Sequence, residues 1–175
     1  MGSFAVQCYL PVHGHRLAGA VLSGSAAVDL MQRPAGGTLR DANAGLPDPR
    51  TAFDWLSRDA AQVDAYIADP LCGFSLTLAS RRTMVAACAP LADPAVLARI
   101  PQALPIYLFS GDQDRVNRCL ERFWPLAARY KAAGLHDVSL HVYGGGRHEM
   151  LNETDRAEVT AQLTAWCQRA ARLDG

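Results

Sequence analysis

Short apolar runs that end in small residues recur along the chain and predict buried strands. The first covers residues 17–22 and the second covers residues 104–109, and a Ser-Gly pair follows each of them. A third run, residues 138–143, alternates apolar and polar side chains and is followed by three glycines. Runs of this length, closed by Gly or Ser, are typical of strands rather than of helices. The pattern therefore predicts three strands, two of them in the second half of the chain.

Apolar side chains at helical spacing predict helices between these strands. A first helix is expected over residues 2–13, ending near Pro11 to Gly14. Four further helices are predicted after it, at residues 60–68, roughly 74–88, roughly 117–133 and about 152–172. Asp59 and Asn152 are the expected N-caps of the first and the last of these four. Asp93-Pro94 is expected to open an additional short helix. Residues 25–50 are rich in Gly, Pro and Ala and predict an irregular segment. Strands joined by helices through short connections predict an α/β fold with a parallel sheet.

The composition is that of a single globular domain. The chain has 175 residues, of which 50% are hydrophobic and 19% are charged, and this is too apolar for a disordered segment. The 17 basic residues balance 17 acidic ones, which argues against a general nucleic-acid or anionic-membrane binder, since both need a basic face. No apolar run reaches the length of a membrane span, and the N-terminal residues lack the pattern of a secretory signal. Five scattered cysteines without a CxxC pair predict reduced thiols in a cytoplasmic protein.

Titratable side chains follow two of the predicted strands. Asp112 and Asp114 come after residues 104–109, and His148 follows the glycine turn after residues 138–143. Functional groups of a parallel α/β sheet gather beyond the carboxyl ends of its strands, so an acid and a histidine in these two loops can meet. A carboxylate beside an imidazole fixes its tautomer and lets it act as a general base toward a nucleophile. Structural alternatives stay open: Asp112 capping its own turn, Asp114 capping a loop or helix, and His148 as a surface histidine.

Two segments carry a resemblance to a known family: LPIYLFSGDQDRV and, downstream, VSLHVYGGGRHEMLNET. They are similar to the C-terminal part of α/β-hydrolases in the serine aminopeptidase S33, lysophospholipase and monoacylglycerol-lipase-like group. The resemblance covers most of the chain and implies that residues 1–175 form a partial α/β-hydrolase fold with a small, mostly helical, cap-like insertion at residues 25–100. By the same resemblance, Asp114 is the acid and His148 the base of a catalytic triad.

The resemblance implies a hydrolase of carboxylic esters, with a small-molecule or lipid ester as substrate, no cofactor and no metal. The family's nucleophile elbow reads G-H-S-M-G-S, and this chain begins with M-G-S-F, directly after the expected serine. This alignment implies that the elbow is missing, that Met1 stands at the oxyanion-hole position, and that the chain is inactive as given. No G-x-S-x-G motif occurs elsewhere, and we expect none of the remaining candidates to be the nucleophile: Ser3, Ser23, Ser25, Ser75 and Cys8.

A second hypothesis is that the chain is a non-catalytic interaction module or remnant derived from an α/β-hydrolase. A sheet without its first strands has an exposed edge and an uncovered apolar face, so self-association through that edge is expected. In-frame codons for Gly-x-Ser upstream of Met1 would favour the enzyme, and a stop codon there would favour the module.

Overall fold

A parallel three-stranded sheet lies at the centre of the fold. The structure is a computed structural model and describes residues 1–31 and 42–172. The strands are β1 (Ala20–Ser23), β2 (Ile106–Gly111) and β3 (Val138–Tyr143), in the order β1-β2-β3. They run in the same direction, so their carboxyl ends meet at one edge of the sheet. The predicted parallel α/β fold is confirmed, although β1 and β2 begin slightly later than predicted.

Helices flank the sheet and connect its strands. In the described residues they are α1 (Gly2–His13), α2 (Ala60–Ala68), α3 (Leu78–Cys88), α4 (Pro94–Leu97), α5 (Phe123–Ala132) and α6 (Arg156–Arg172), with short 3-10 turns at residues 14–16, 28–31, 89–92 and 150–152. The predicted bounds of α1 and α2 are confirmed. Asp59 caps α2 as predicted, since its carboxylate accepts the N–H groups of Ala61 and Gln62. None of the helices in the two described ranges is both long and apolar enough to cross a bilayer.

Three predicted helix starts were wrong, because each helix begins later in the chain than its sequence pattern predicts. The helix predicted from residue 117 begins only at Phe123, because the three residues before Glu121 have positive φ values of 55°, 51° and 75°. Asn117 instead accepts the N–H of Leu120 in a turn (2.8 Å). The last helix begins at Arg156, since the Asn152 amide donates to a glutamate rather than capping a helix. The helix predicted from residue 74 begins at Leu78, after the N-cap Thr77.

The sheet separates two apolar clusters. All six residues of β2 are buried, because alternate side chains of a strand point to opposite faces and both faces are covered. On one face, Ile106 and Leu108 pack with Leu22 and with side chains of α1 and α5. On the other, Tyr107 and Phe109 pack against side chains of α6, as do neighbouring aromatic residues. The result is a three-layer arrangement, with its loops at the carboxyl edge.

The connection from β1 to β2 spans the residues that are predicted to form a cap-like insertion. Both of its ends pack in the larger apolar cluster, through residues 26–28 and through Cys88, Leu91 and Leu97. Its middle part carries α2 and α3 and exposes the apolar side chains of Leu71 and Phe74 to solvent (81% and 67%). Residues 32–41, in the segment predicted to be irregular, lie outside the described residues. The extent of a cap within residues 25–100 stays a prediction.

Candidate functional site

Asp114 and His148 lie in direct contact beyond the carboxyl ends of β2 and β3. The Nδ1 atom of His148 is 3.1 Å from each carboxylate oxygen of Asp114. The side chain of Asp114 is fully buried, whereas that of His148 is 23% exposed. A carboxylate only accepts, so this geometry places the ring proton of the neutral imidazole on Nδ1 and its lone pair on Nε2. Within residues 1–31 and 42–172, Nε2 has no hydrogen-bond partner. The imidazole is therefore oriented to accept a proton on its other nitrogen.

Neighbouring donors hold the Asp114 carboxylate in place. Its Oδ1 accepts the N–H of Val116 (2.8 Å), and its Oδ2 accepts the amide of Asn117 (3.2 Å) and the hydroxyl of Ser110 (3.3 Å). Asn117 also donates to Ser110 Oγ (2.8 Å), and both of these residues are fully buried. A buried charge needs such partners, because its desolvation is otherwise uncompensated. The carboxylate thus has a fixed orientation toward the histidine.

Two glycines permit the three strand ends to approach this closely. Gly24, directly after β1, has a φ of +54°, and a Cβ there would lie 2.8 Å from Nδ1 of His148. A Cβ on Gly111, the last residue of β2, would lie 2.0 Å from the carbonyl oxygen of Gly146. Glycine is thus required at the first position by the backbone conformation and at both by space. The loop that carries His148 is seated directly on the ends of β1 and β2.

A loop of the β1–β2 connection lies against the histidine. The ring centroids of Trp55 and His148 are 5.4 Å apart. The backbone carbonyl of Trp55 accepts the N–H of His148 (3.4 Å), and that of Leu56 accepts the N–H of Glu149 (2.8 Å). Trp55 itself is 7% exposed. The exposed part of the imidazole is therefore bordered by an aromatic residue from the insertion.

This geometry can be compared with known proteins. The sequence profile of the family described as "Serine aminopeptidase, S33" matches residues 1–155 of the chain. The chain belongs to this family. No match was found among curated protein sequences.

Solved structures of hydrolases share the fold of this S33 family member. A thermostable carboxyl esterase from Bacillus coagulans, in complex with glycerol, superposes with a TM-score of 0.80 at 24% identity, over 96% of this chain and 62% of that one. A monoacylglycerol lipase from Paleococcus ferrophilus gives a TM-score of 0.71 at 19% identity, over 96% of this chain and 65% of that one. A monoglyceride lipase from Saccharomyces cerevisiae, solved with a substrate analogue, gives a TM-score of 0.70 at 16% identity, over 96% of this chain and 62% of that one. The chain thus spans less than two thirds of the length of these proteins.

Met1, the predicted oxyanion-hole residue, lies at the N-terminus of the first helix. Met1 is 62% exposed at the start of α1, where its carbonyl accepts the N–H groups of Phe4 and Ala5. No hydrogen bond within residues 1–31 and 42–172 links Met1 to Asp114 or His148. An oxyanion-hole role for Met1 stays a prediction.

The alternative nucleophiles have no hydrogen bond with the histidine in the described residues, and two of them have other partners. Ser25 is buried and its hydroxyl accepts the amide of Gln7 (2.8 Å), and Cys8 contacts Cys88 (3.4 Å between sulfur atoms). Ser75 is exposed on the insertion. Over the described part of the chain, none of the five candidates, which also include Ser3 and Ser23, has a hydrogen bond to His148.

Sequence reasoning missed the residues that support the pair. The apolar pattern places Ser110 only at the end of a strand and Asn117 at the start of a helix, yet both bind Asp114. The Asp112 carboxylate accepts the side-chain amide of Gln113 in its own turn (3.2 Å) and the N–H of Gly145 in the next loop (2.8 Å), so it connects two loops. The signal for Asn117 is its place three residues after the predicted acid, where an amide can reach back within a turn. In the described residues, no group of three or more His, Cys, Asp or Glu is arranged to hold a metal ion.

Proposed function

We propose that Asp114 and His148 are the acid and the base of a serine-hydrolase site that cleaves carboxylic esters by acyl transfer. The observation that carries this proposal is the buried Asp114 carboxylate, 3.1 Å from Nδ1 of a histidine whose Nε2 has no hydrogen-bond partner among the described residues. The fold shared with an esterase and two monoacylglycerol lipases supports this choice of reaction.

In the proposed reaction, Nε2 of His148 takes the proton of a serine hydroxyl as its oxygen attacks the ester carbon. Asp114 stabilises the imidazolium that forms and does not itself take the proton. The tetrahedral oxyanion then collapses, and the imidazolium gives its proton to the departing alcohol. A water molecule, deprotonated by the same Nε2, then attacks the acyl carbon. As the bond to the serine oxygen breaks, the imidazolium returns its proton to that oxygen and the carboxylic acid is released.

The serine of this reaction is proposed to be supplied by a nucleophile elbow outside the residues of this chain, which would be inactive alone. Two observations support this placement. The chain has no G-x-S-x-G motif. The hydroxyl of the buried Ser110 faces the carbonyl oxygen of Gly111 (3.1 Å) and Oδ2 of Asp114 (3.3 Å) rather than the histidine. When a serine protease loses its catalytic serine, its turnover falls by about a millionfold.

The substrate is proposed to be a small-molecule or lipid ester, with residues 25–100 acting as a cap over the site. Trp55 lies beside His148, and the insertion exposes Leu71 and Phe74, apolar side chains suited to an acyl chain. Monoacylglycerol-like and lysophospholipid-like esters are the classes that fit such a surface. No cofactor is needed for the proposed chemistry.

Covalent labelling with a fluorophosphonate tests the proposal. We expect no labelled serine in the chain as given, and one labelled serine in the product of the complete open reading frame that contains it. His148→Ala should abolish labelling of that longer protein while leaving its unfolding temperature within a few degrees. Labelling of any serine in the chain as given, or labelling that survives His148→Ala, would contradict the proposal.

A second candidate is a non-catalytic interaction module, and the surface of α1 favours it. Met1, the N-cap of this helix, and Val12 in its last turn are 62% and 56% exposed, an apolar surface that a second copy of the chain could cover. β1 is moreover an edge strand of the described sheet. Light scattering after size-exclusion chromatography distinguishes the two: a concentration-dependent dimer supports the module, and a monomer at all concentrations counts against it.

A further inference from the structure

Glu153 is a fully buried carboxylate that lies outside the Asp114–His148 pair. Its Oε1 accepts the backbone N–H groups of Arg147 (2.9 Å) and Arg58 (3.0 Å). Its Oε2 accepts the Arg58 Nε–H (2.8 Å) and the backbone N–H of Thr154 (3.0 Å). The Thr154 hydroxyl adds a longer contact to Oε2 (3.5 Å). A carboxylate offers about four lone-pair sites, and every partner here is a donor. The site is built for an acceptor-only side chain.

These bonds join the two loops that meet at the histidine. Arg147 directly precedes His148, and Arg58 ends the loop that carries Trp55, whose ring and carbonyl contact the histidine. The Arg147 guanidinium reinforces the junction by donating to the carbonyl oxygens of Asp54 (2.6 Å) and Ser57 (3.0 Å). The buried Glu153 side chain therefore binds the backbone of both loops that contact the imidazole, at Arg147 and at Arg58.

We propose that Glu153 is a positioning residue, which keeps the His148 ring turned toward Asp114. It acts through the Arg147 N–H and through the loop that carries Trp55, and it touches neither a substrate nor the reacting atoms. Its importance for catalysis rests on the proposed function, but its effect on the ring does not.

Glutamine at position 153 is the sharpest perturbation, because it keeps the shape of the side chain. Its amide nitrogen would face two N–H donors, either on Arg147 and Arg58 or on Arg58 and Thr154. Two donors cannot bond to each other, so the first orientation breaks the bonds that bridge the two loops. The second orientation keeps the Arg147 and Arg58 backbone N–H bonds but loses the bonds to the Arg58 side chain and to Thr154, so either orientation weakens the junction of the loops. Asp155→Asn is the matched control, since Asp155 also binds the Arg58 guanidinium (3.1 Å) but no backbone N–H of the histidine loop.

The readout is the low-field proton resonance of the His148 Nδ1–H in the chain as given, assigned by its loss in His148→Gln. In Glu153→Gln we expect its intensity to fall by about tenfold or more, as a charged hydrogen bond is lost, with dispersed amide signals retained. Asp155→Asn should keep it. An unchanged resonance in Glu153→Gln, or an equal loss in Asp155→Asn, would overturn the proposal.

Two further variants keep the outcome decisive. If Glu153→Gln does not fold, Arg58→Lys replaces it, because lysine keeps the charge and the backbone N–H but lacks the Nε donor. We expect this variant to have a weakened His148 Nδ1–H resonance. A resonance like that of the wild type would overturn the proposal. Asp114→Asn separates this inference from the proposed function. A resonance that persists in Asp114→Asn shows that the acid–base pair itself is wrong, whereas one lost there but kept in Glu153→Gln refutes only the positioning role.

Discussion

Gly111→Ala should force apart the loops that bring Asp114 and His148 together. Gly111 ends β2, and a Cβ at this position would lie 2.0 Å from the carbonyl oxygen of Gly146 and 2.6 Å from that of Arg147. Both obstacles are backbone atoms, so no side-chain rotamer relieves the overlap. The loop that precedes the histidine must therefore move by about 1 Å or more to reach ordinary contact distance.

The cost of this movement can be worked out from the bonds it breaks. Gly146 accepts the N–H of Gln113 (2.9 Å), and Gly145 donates to Asp112 (2.8 Å). Each bond contributes about 1 kcal/mol, and backbone overpacking costs about 1–3 kcal/mol. The free energy of unfolding should thus fall by about 3–5 kcal/mol, which for a domain of this size lowers Tm by about 10 °C.

Gly144→Ala is the matched control in the same loop, since a Cβ there has nothing within 4 Å. We expect its free energy of unfolding to stay within about 0.5 kcal/mol of the wild type. Calorimetry and urea titration of both variants measure the difference, and the His148 Nδ1–H resonance reports on the site. Equal Tm values for the two variants would refute the close packing of these loops.

Three further predictions concern other parts of the fold. Gly24→Ala should weaken the His148 Nδ1–H resonance, because its Cβ would lie 2.8 Å from Nδ1; a full-intensity resonance would contradict this. The hydrogen bond from Arg129 lowers the pKa of Asp29 below 3.8. The Asp29–Arg129 pair therefore stabilises the fold above pH 3.8, and this stabilisation is lost as the pH falls through the folded-state pKa of Asp29. Asp29→Asn should therefore destabilise the chain at pH 7 and progressively less below pH 3.8 in urea titrations, and a pH-independent difference would count against the pair. Cys8 and Cys88, with sulfur atoms 3.4 Å apart, should form a disulfide on treatment with diamide. The reaction should be slow, because burial raises the pKa of Cys88 to about 12. Peptide mass spectrometry should find this link, and retention of both thiols would contradict the contact.

Local rules were enough to predict much of the fold. The strand runs end where Gly and Ser interrupt the apolar pattern, and α2 begins after Asp59 because its carboxylate satisfies the first N–H groups. The meeting of Asp114 and His148 also followed from a general rule, since parallel strands bring their carboxyl ends to one edge.

Long-range partners explain what the sequence could not predict. The segment after Asp114 has good helical spacing, yet it remains a turn because Asn117 is needed by the carboxylate and by Ser110. Similarly, the contact of Trp55 with His148 spans distant parts of the chain, and no local pattern encodes it. Tertiary bonds of this kind override helix propensity.

The rate of ester hydrolysis by the product of the complete open reading frame, with and without Asp114→Asn, tests the central claim most directly. With a p-nitrophenyl ester as substrate, the wild type should turn over and the variant should lose kcat by about 10⁴-fold, as when a triad aspartate of a protease is replaced. A variant that keeps its kcat within about tenfold would contradict the assignment of Asp114 and His148 as acid and base.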